Sequence, residues 1–330
     1  MQRFSVESQS VHFTQCLNIE MTKIPFFLVN LVFSVALLPS SVLYGQERSQ
    51  LQFWQEIAAA DQTFAARSSE IGRTRAFLEI LGADSVVFRE GPVDALALYS
   101  SEAFQESAAE INWKAHYIDV SRAGDLGLSA GPVTIIDPSG DSDQDLFGHL
   151  ISIWKKTNNR WELMSDIFVF IPGFLSLEVE PNIEDTVPVY EETAHPVLAM
   201  DQNNTLQSLI DADNLFGRSI NFRGGQRALL RFGLENSRVY LPGMAPAVGA
   251  ESASSVYGAF LDNQLSTTNP ISLTYLGGFL SESKEMGYTY GTMEADTDDD
   301  EEGFITDYLR LWRFTNSNEW RIAVEVLSPH

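Results

Sequence analysis

From Leu51 onward the apolar residues recur at helical spacing, with Leu51, Trp54, Ile57, Ala58 and Phe64 falling on one stripe. A second helical stretch, Arg73–Leu81, stops near Gly82, and Ser85–Phe88 begins a strand. After a poorly patterned segment come alternating runs near residues 110–120, 125–136, 146–156 and 160–169, separated by clusters of Gly, Pro and Asp. The pattern predicts two or three helices followed by an antiparallel sheet, an α+β arrangement.

The same order occurs twice. "ADQTFAARSSEIGRTRAFLEILGADSVVFREG" (Ala60–Gly91) aligns without a gap on "ADNLFGRSINFRGGQRALLRFGLENSRVYLPG" (Ala212–Gly243), with about a third of positions identical. Further on Gly127 meets Gly287, Gly131 meets Gly291, and "WKKTNNRWELMSDI" meets "WRFTNSNEWRIAVEV". Two glycines four apart on a strand share a face, and they predict a hairpin corner followed by a bent strand. Between the repeats, Pro172, Pro181, Pro188 and Pro196 stand among acids, which is the composition of a proline-stiffened linker. The expected organisation is a signal region at 1–45, a first domain at 46–172, a linker at 173–200 and a diverged second domain at 201–330.

The N-terminal stretch reads as an export signal. A short basic region begins at Met21, an apolar run spans Ile24–Leu38, and small residues follow to Gly45. This places the protein in the periplasm or outside the cell, with Met21 a candidate start. The chain's single cysteine, Cys16, lies ahead of that signal, so the mature protein is expected to carry no disulfide, thiolate nucleophile or Cys-ligated metal. A net charge of −24 over 330 residues argues against nucleic acid and anionic membrane surfaces as partners.

The motifs "AADQTFAARSSEIGRTRAFLEILGADSVVFREGP", "INWKAHYIDVSRAGDLGLSAGP", "FGHLISIWKK" and "RWELMSDI" together resemble the nuclear transport factor 2-like superfamily, in its SnoaL-like, ketosteroid-isomerase-like branch. The second repeat matches more loosely, through "ADNLF", "MGYTYG" and "YLRLWR". The resemblance implies two cone-shaped units, each a strongly curved sheet wrapped around helices with an apolar pocket at the wide end. Relatives include isomerases and dehydratases as well as non-catalytic binding modules, so the fold leaves function open.

Asp61 and Asp213 each fall on the apolar stripe of a helix, where a carboxylate must be hydrogen-bonded, paired or protonated. Each is either a pocket acid or a structural group, bonded to Arg75 and Arg227 respectively or to backbone N–H. Asp166 in "WELMSDI", matched by Glu325, shares a strand face with Met164 under strict alternation and points either to the cone mouth or to solvent. His149 and His116 have Asp307 and Leu276 as counterparts, and a His149–Asp166 pair across neighbouring strands would resemble a base and its orienter. Trp54 and Trp113, with Tyr240 and Tyr288, are candidate pocket aromatics.

No phosphate loop, zinc set or nucleophile elbow occurs, and no cofactor is expected. The acidic loops Asp137–Asp145 and Glu294–Gly303 read as solvated hairpin tips without an EF-hand glycine, so no metal is assigned. Three functions are consistent with these residues. One is a binder of a small apolar or amphipathic molecule. Another is an isomerase, dehydratase or hydrolase using Asp61, His149 and Asp166. The third is a structural module, with the domains paired within the chain or as a homodimer.

Overall fold

The stripe predicted near the start of the first repeat becomes α1 (Gln50–Ile71), which buries Trp54, Ile57, Asp61, Phe64 and Ser68. Leu51, expected on the buried stripe, lies 42% exposed at the first turn. In the computed structural model, residues 50–101, 109–136, 145–173, 204–264, 270–295 and 303–329 are described, and all belong to one compact unit, Glu47–His330. The expected signal region and linker, and most of both acidic loops, lie outside the described residues.

Gly72, at φ 90°, breaks the helix and turns the chain into α2 (Arg73–Ile80). There follow β1 (Leu81–Phe88), β2 (Pro92–Asp94), α3 (Ala95–Tyr99), β3 (Glu110–Trp113), β4 (Tyr117–Val120), β5 (Leu126–Ile136), β6 (Leu146–Thr157) and β7 (Arg160–Ile171). The second repeat runs α4 (Leu206–Arg223), α5 (Gly225–Phe232), β8 (Gly233–Tyr240), β9 (Ala247–Val248), α6 (Ala250–Gln264), β10 (Ser272–Leu280), β11 (Met286–Ala295), β12 (Phe304–Phe314) and β13 (Trp320–Pro329). The strand orders correspond: β2-β1-β7-β6-β5-β3 with β4 also on β5, and β10-β11-β12-β13-β8-β9. The architecture is α+β, with helices covering one face of each sheet.

Three details depart from the pattern read off the sequence. Each sheet has one parallel pair, β1 with β7 and β8 with β13, because the strand that follows the helices re-enters beside the last strand. The run near 110–120 is split into β3 and β4, and Gly131 faces the break between them. A Cβ there would stand 1.9 Å from the Lys114 carbonyl oxygen, and one on Gly291 would stand 1.9 Å from that of Thr274. Glycine is therefore required for close backbone approach, once in each repeat. Last, β7 carries a bulge at Met164, since Trp154 pairs with Leu163 and Ile153 with Ser165. The second repeat repeats it at Ala323. The extra residue reverses the alternation, so Asp166 and Met164 lie on opposite faces rather than sharing one.

Two apolar cores lie between helices and sheet, one around Phe64, Phe77, Trp154 and Leu163, the other around Phe216, Tyr257, Trp312 and Ile322. A third cluster draws on both sheets, with Leu128, Ile151 and Ile167 against Tyr288, Leu309 and Val326. The two sheets therefore pack face to face through their outer surfaces.

Candidate functional site

The polar interior of each cone starts from the helical aspartate. Asp61 accepts a 2.7 Å hydrogen bond from Ser129 Oγ, which in turn accepts one from Trp154 Nε1 at 2.8 Å. Asp213 repeats this, with Thr289 Oγ1 donating at 3.0 Å and Trp312 Nε1 bonding that hydroxyl at 2.9 Å. The partner of each aspartate thus comes from the sheet. Arg75 and Arg227, expected to pair with them from the helices, are exposed. Ser129 and Thr289 were not singled out from the sequence, although both stand two residues after the first glycine of the duplicated hairpin.

Beyond that shared relay the two interiors differ. In the second repeat Arg310 on β12, 0% exposed, donates to Asp213 at 2.8 Å and to both Glu325 oxygens at 2.6 and 3.1 Å. Its guanidinium lies 3.9 Å from the Tyr308 ring centroid and 4.8 Å from that of Phe216, while Tyr308 OH donates to Asp213 at 2.7 Å. Two carboxylates share one guanidinium out of reach of water, so burial raises Glu325 to about 7 even against the lowering effect of Arg310.

The β6–β7 and β12–β13 registers place Ser152 opposite Asp166 where the second repeat has Arg310 opposite Glu325. Ser152 Oγ donates to Asp166 at 3.2 Å, and the charge partner arrives instead from α2, Arg73 Nη2 reaching Asp166 at 3.0 Å. Burial raises Asp166, opposed by Arg73 and Arg89. Asp61 is raised to about 6, chiefly by burial and further by Asp166 nearby. Arg73 Nε is buried there without a hydrogen-bond partner, and the Trp113 indole N–H, turned to Asp61, works against the rise.

The other candidates are dispersed. His149 does not meet Asp166; it pairs with Val169, and its ring lies 5.6 Å from Tyr240 on the outer face of the sheet. Burial there, with His116 adding repulsion, lowers it to about 4. Tyr240 and Tyr288 belong to the cluster between the sheets, and burial pushes the Tyr240 hydroxyl up to about 12. Asp307 accepts from Gly91 N across that interface at 3.2 Å. Trp54 and Trp113 pack in the first core, Trp113 lying 5.0 Å from Phe64. Among the described residues no group of side chains could hold a metal, and no helix is long and apolar enough to cross a membrane.

The duplicated hairpins meet each other. Arg122 N donates to Glu285 Oε1 at 2.7 Å, and Glu282 N to Asp125 Oδ2 at 2.7 Å, which is one contact made twice by equivalent residues. Arg313 bonds Asp119, while its counterpart Lys155 lies 4.2 Å over the ring of Phe279, which stands where Asp119 stands. Such reciprocity is the mark of an isologous two-fold contact, here held within one chain.

Described residues bound concavities on the helical side of each repeat. A groove of about 620 Å³ lies between α1, α2 and the β6–β7 turn, and a smaller one of about 350 Å³ borders α4 and β10. Neither is lined by Asp61.

No family model and no curated protein matches the chain. Similar solved structures include a ketosteroid isomerase-like protein from Erwinia carotovora, with TM-score 0.32 and 16% identity over 38% of this chain and 97% of that one. Another is a protein of unknown function with a cystatin-like fold from Nostoc punctiforme, with TM-score 0.30 and 12% identity over 38% and 90%. An NTF-2-like protein of unknown function from Shewanella oneidensis matches with TM-score 0.30 and 12% identity over 37% and 98%.

Proposed function

We propose that the chain is a fused pseudo-dimer whose first repeat binds a small amphipathic molecule and whose second is its closed structural partner. The observation that carries this reading is the exchange of Ser152 for Arg310 at one position of the duplicated sheet. Arg310 neutralises and fills the second interior. In the first, Arg73 Nε remains a buried donor without a hydrogen-bond partner, while the Trp113 indole is already turned to Asp61. A buried donor left without a partner costs about 1–3 kcal/mol. A ligand oxygen meeting that Arg73 donor would offset it, which favours an apolar body carrying a carbonyl, hydroxyl or carboxylate oxygen.

An acid–base enzyme built on Asp61, His149 and Asp166 is not the reading favoured, because His149 lies on the opposite face of its sheet. We also propose export, on the basic and apolar pattern of Met21–Leu38. N-terminal sequencing of the secreted protein is expected to find a start after Gly45, and an intracellular protein keeping residues 21–45 would contradict it.

The binding reading is tested by a thermal-shift screen of small carbonyl and hydroxyl compounds on the wild-type protein and Ser152→Arg. A compound at a hundred times its Kd stabilises by about 2.7 kcal/mol. The expected result is stabilisers of the wild type that have no effect on Ser152→Arg, in which the new guanidinium copies Arg310. If no compound shifts the wild type more than Ser152→Arg, the first interior is structural like the second and the binding reading of it fails.

A further inference from the structure

We infer a second small-molecule site in the first repeat, in the groove between α1, α2 and the β6–β7 turn, for a planar aromatic compound bearing a hydrogen-bond acceptor. It does not depend on the interior site. The groove encloses about 620 Å³, and Phe64, Trp154 and Trp161 line it. A slot walled by aromatic faces favours a flat ring system, since offset and edge-on ring contacts add to the area buried.

The second repeat shows what closes the same place. Its equivalent rings are Phe216, Trp312 and Trp320, the last fixed by register: Trp161 pairs with Lys156 as Trp320 pairs with Phe314. There Phe314 packs at 5.2 Å on Trp320, and Phe232 at 5.6 Å on Phe216. The first repeat has Lys156 and Ile80 at those two positions, and both line the groove. The indoles differ in the same sense. Trp320 Nε1 donates to Ser208 Oγ at 3.2 Å, but Trp161 Nε1 is buried without a partner, and the residue aligned with Ser208 is Glu56, which pairs with Lys156 instead. The groove is therefore a feature of one repeat, with an aromatic lining and one unsatisfied N–H.

The probe is 8-anilinonaphthalene-1-sulfonate, followed by fluorescence on the full chain. The site predicts saturable binding by the wild type, weakened at least about tenfold by Ile80→Phe, which fills the groove without changing charge, and likewise by Lys156→Phe. Circular dichroism and a melting curve check that each variant is folded. Ser152→Arg, which alters only the interior, is expected to leave probe affinity unchanged, as is Phe222→Ser at an exposed phenylalanine of α4. Affinity within twofold of wild type in both groove variants overturns the site, as does the absence of saturable binding. Loss in Ser152→Arg with retention in the groove variants would overturn the groove while supporting the interior site.

Discussion

For a carboxyl group 4% exposed and facing a tryptophan-bonded serine, burial disfavours the charged form and raises Asp61 to about 6. The unfolded chain titrates this group near 3.8, so between about pH 4 and 6 the folded protein holds the extra proton. Stability contributed by Asp61 therefore falls as pH rises through that window, by up to about 3 kcal/mol for a shift of about two units. His149 acts in the opposite sense, its lowered value costing stability as pH falls from 6.5 towards 4. The clean comparison is Asp61→Asn, which keeps an acceptor for Ser129. Its stability relative to wild type, from urea unfolding, is expected to rise between pH 4 and pH 7. A difference that stays constant with pH would contradict the assignment. At this scale the aspartates were legible, because a charge on an apolar helical stripe stands out. Their partners were not, because which strand residue faces a helix depends on register, and the nearer arginines, Arg75 and Arg227, point to water.

The elements show how a one-residue irregularity hides a site. The helices follow directly from apolar spacing and from Gly72, and the hairpin glycines mark where other backbone approaches β5 and β11 closely. Nothing in "WELMSDI" announces the bulge at Met164, yet that bulge turns Asp166 inward to Ser152 and Arg73. For the same reason the proposed His149–Asp166 pair was misplaced, since their registers differ by three residues. The close-approach glycines make a sharper prediction. Gly131→Ala and Gly291→Ala must each displace a carbonyl oxygen 1.9 Å away, and each is expected to destabilise by about 1–3 kcal/mol or more. A change below about 0.5 kcal/mol in chemical denaturation would show that the backbone yields freely there.

Across the whole molecule, duplication has produced a two-fold interface whose two halves have since diverged. The repeat was plain in the sequence. The face-to-face packing was one of several arrangements open to it, because alternation alone does not say what covers a sheet's outer face. Arg313 binds Asp119 and Glu285, all nearly buried, whereas the equivalent Lys155 only covers a ring. Arg313→Ala leaves two buried acids without their cation and is expected to cost about 3–5 kcal/mol. Lys155→Ala gives up a cation–π contact of about 0.5–2 kcal/mol. Equal losses in the two variants, measured by urea unfolding, would remove the claim that the interface has become asymmetric.

That asymmetry, with one half receptive and the other sealed by Arg310, is the central claim, and hydrogen–deuterium exchange tests it most directly. With a stabilising compound bound, amide protection is expected to increase in α1, α2 and β5–β7 and to stay unchanged in α4, β12 and β13. Protection gained around Arg310, or equally in both repeats, would contradict it.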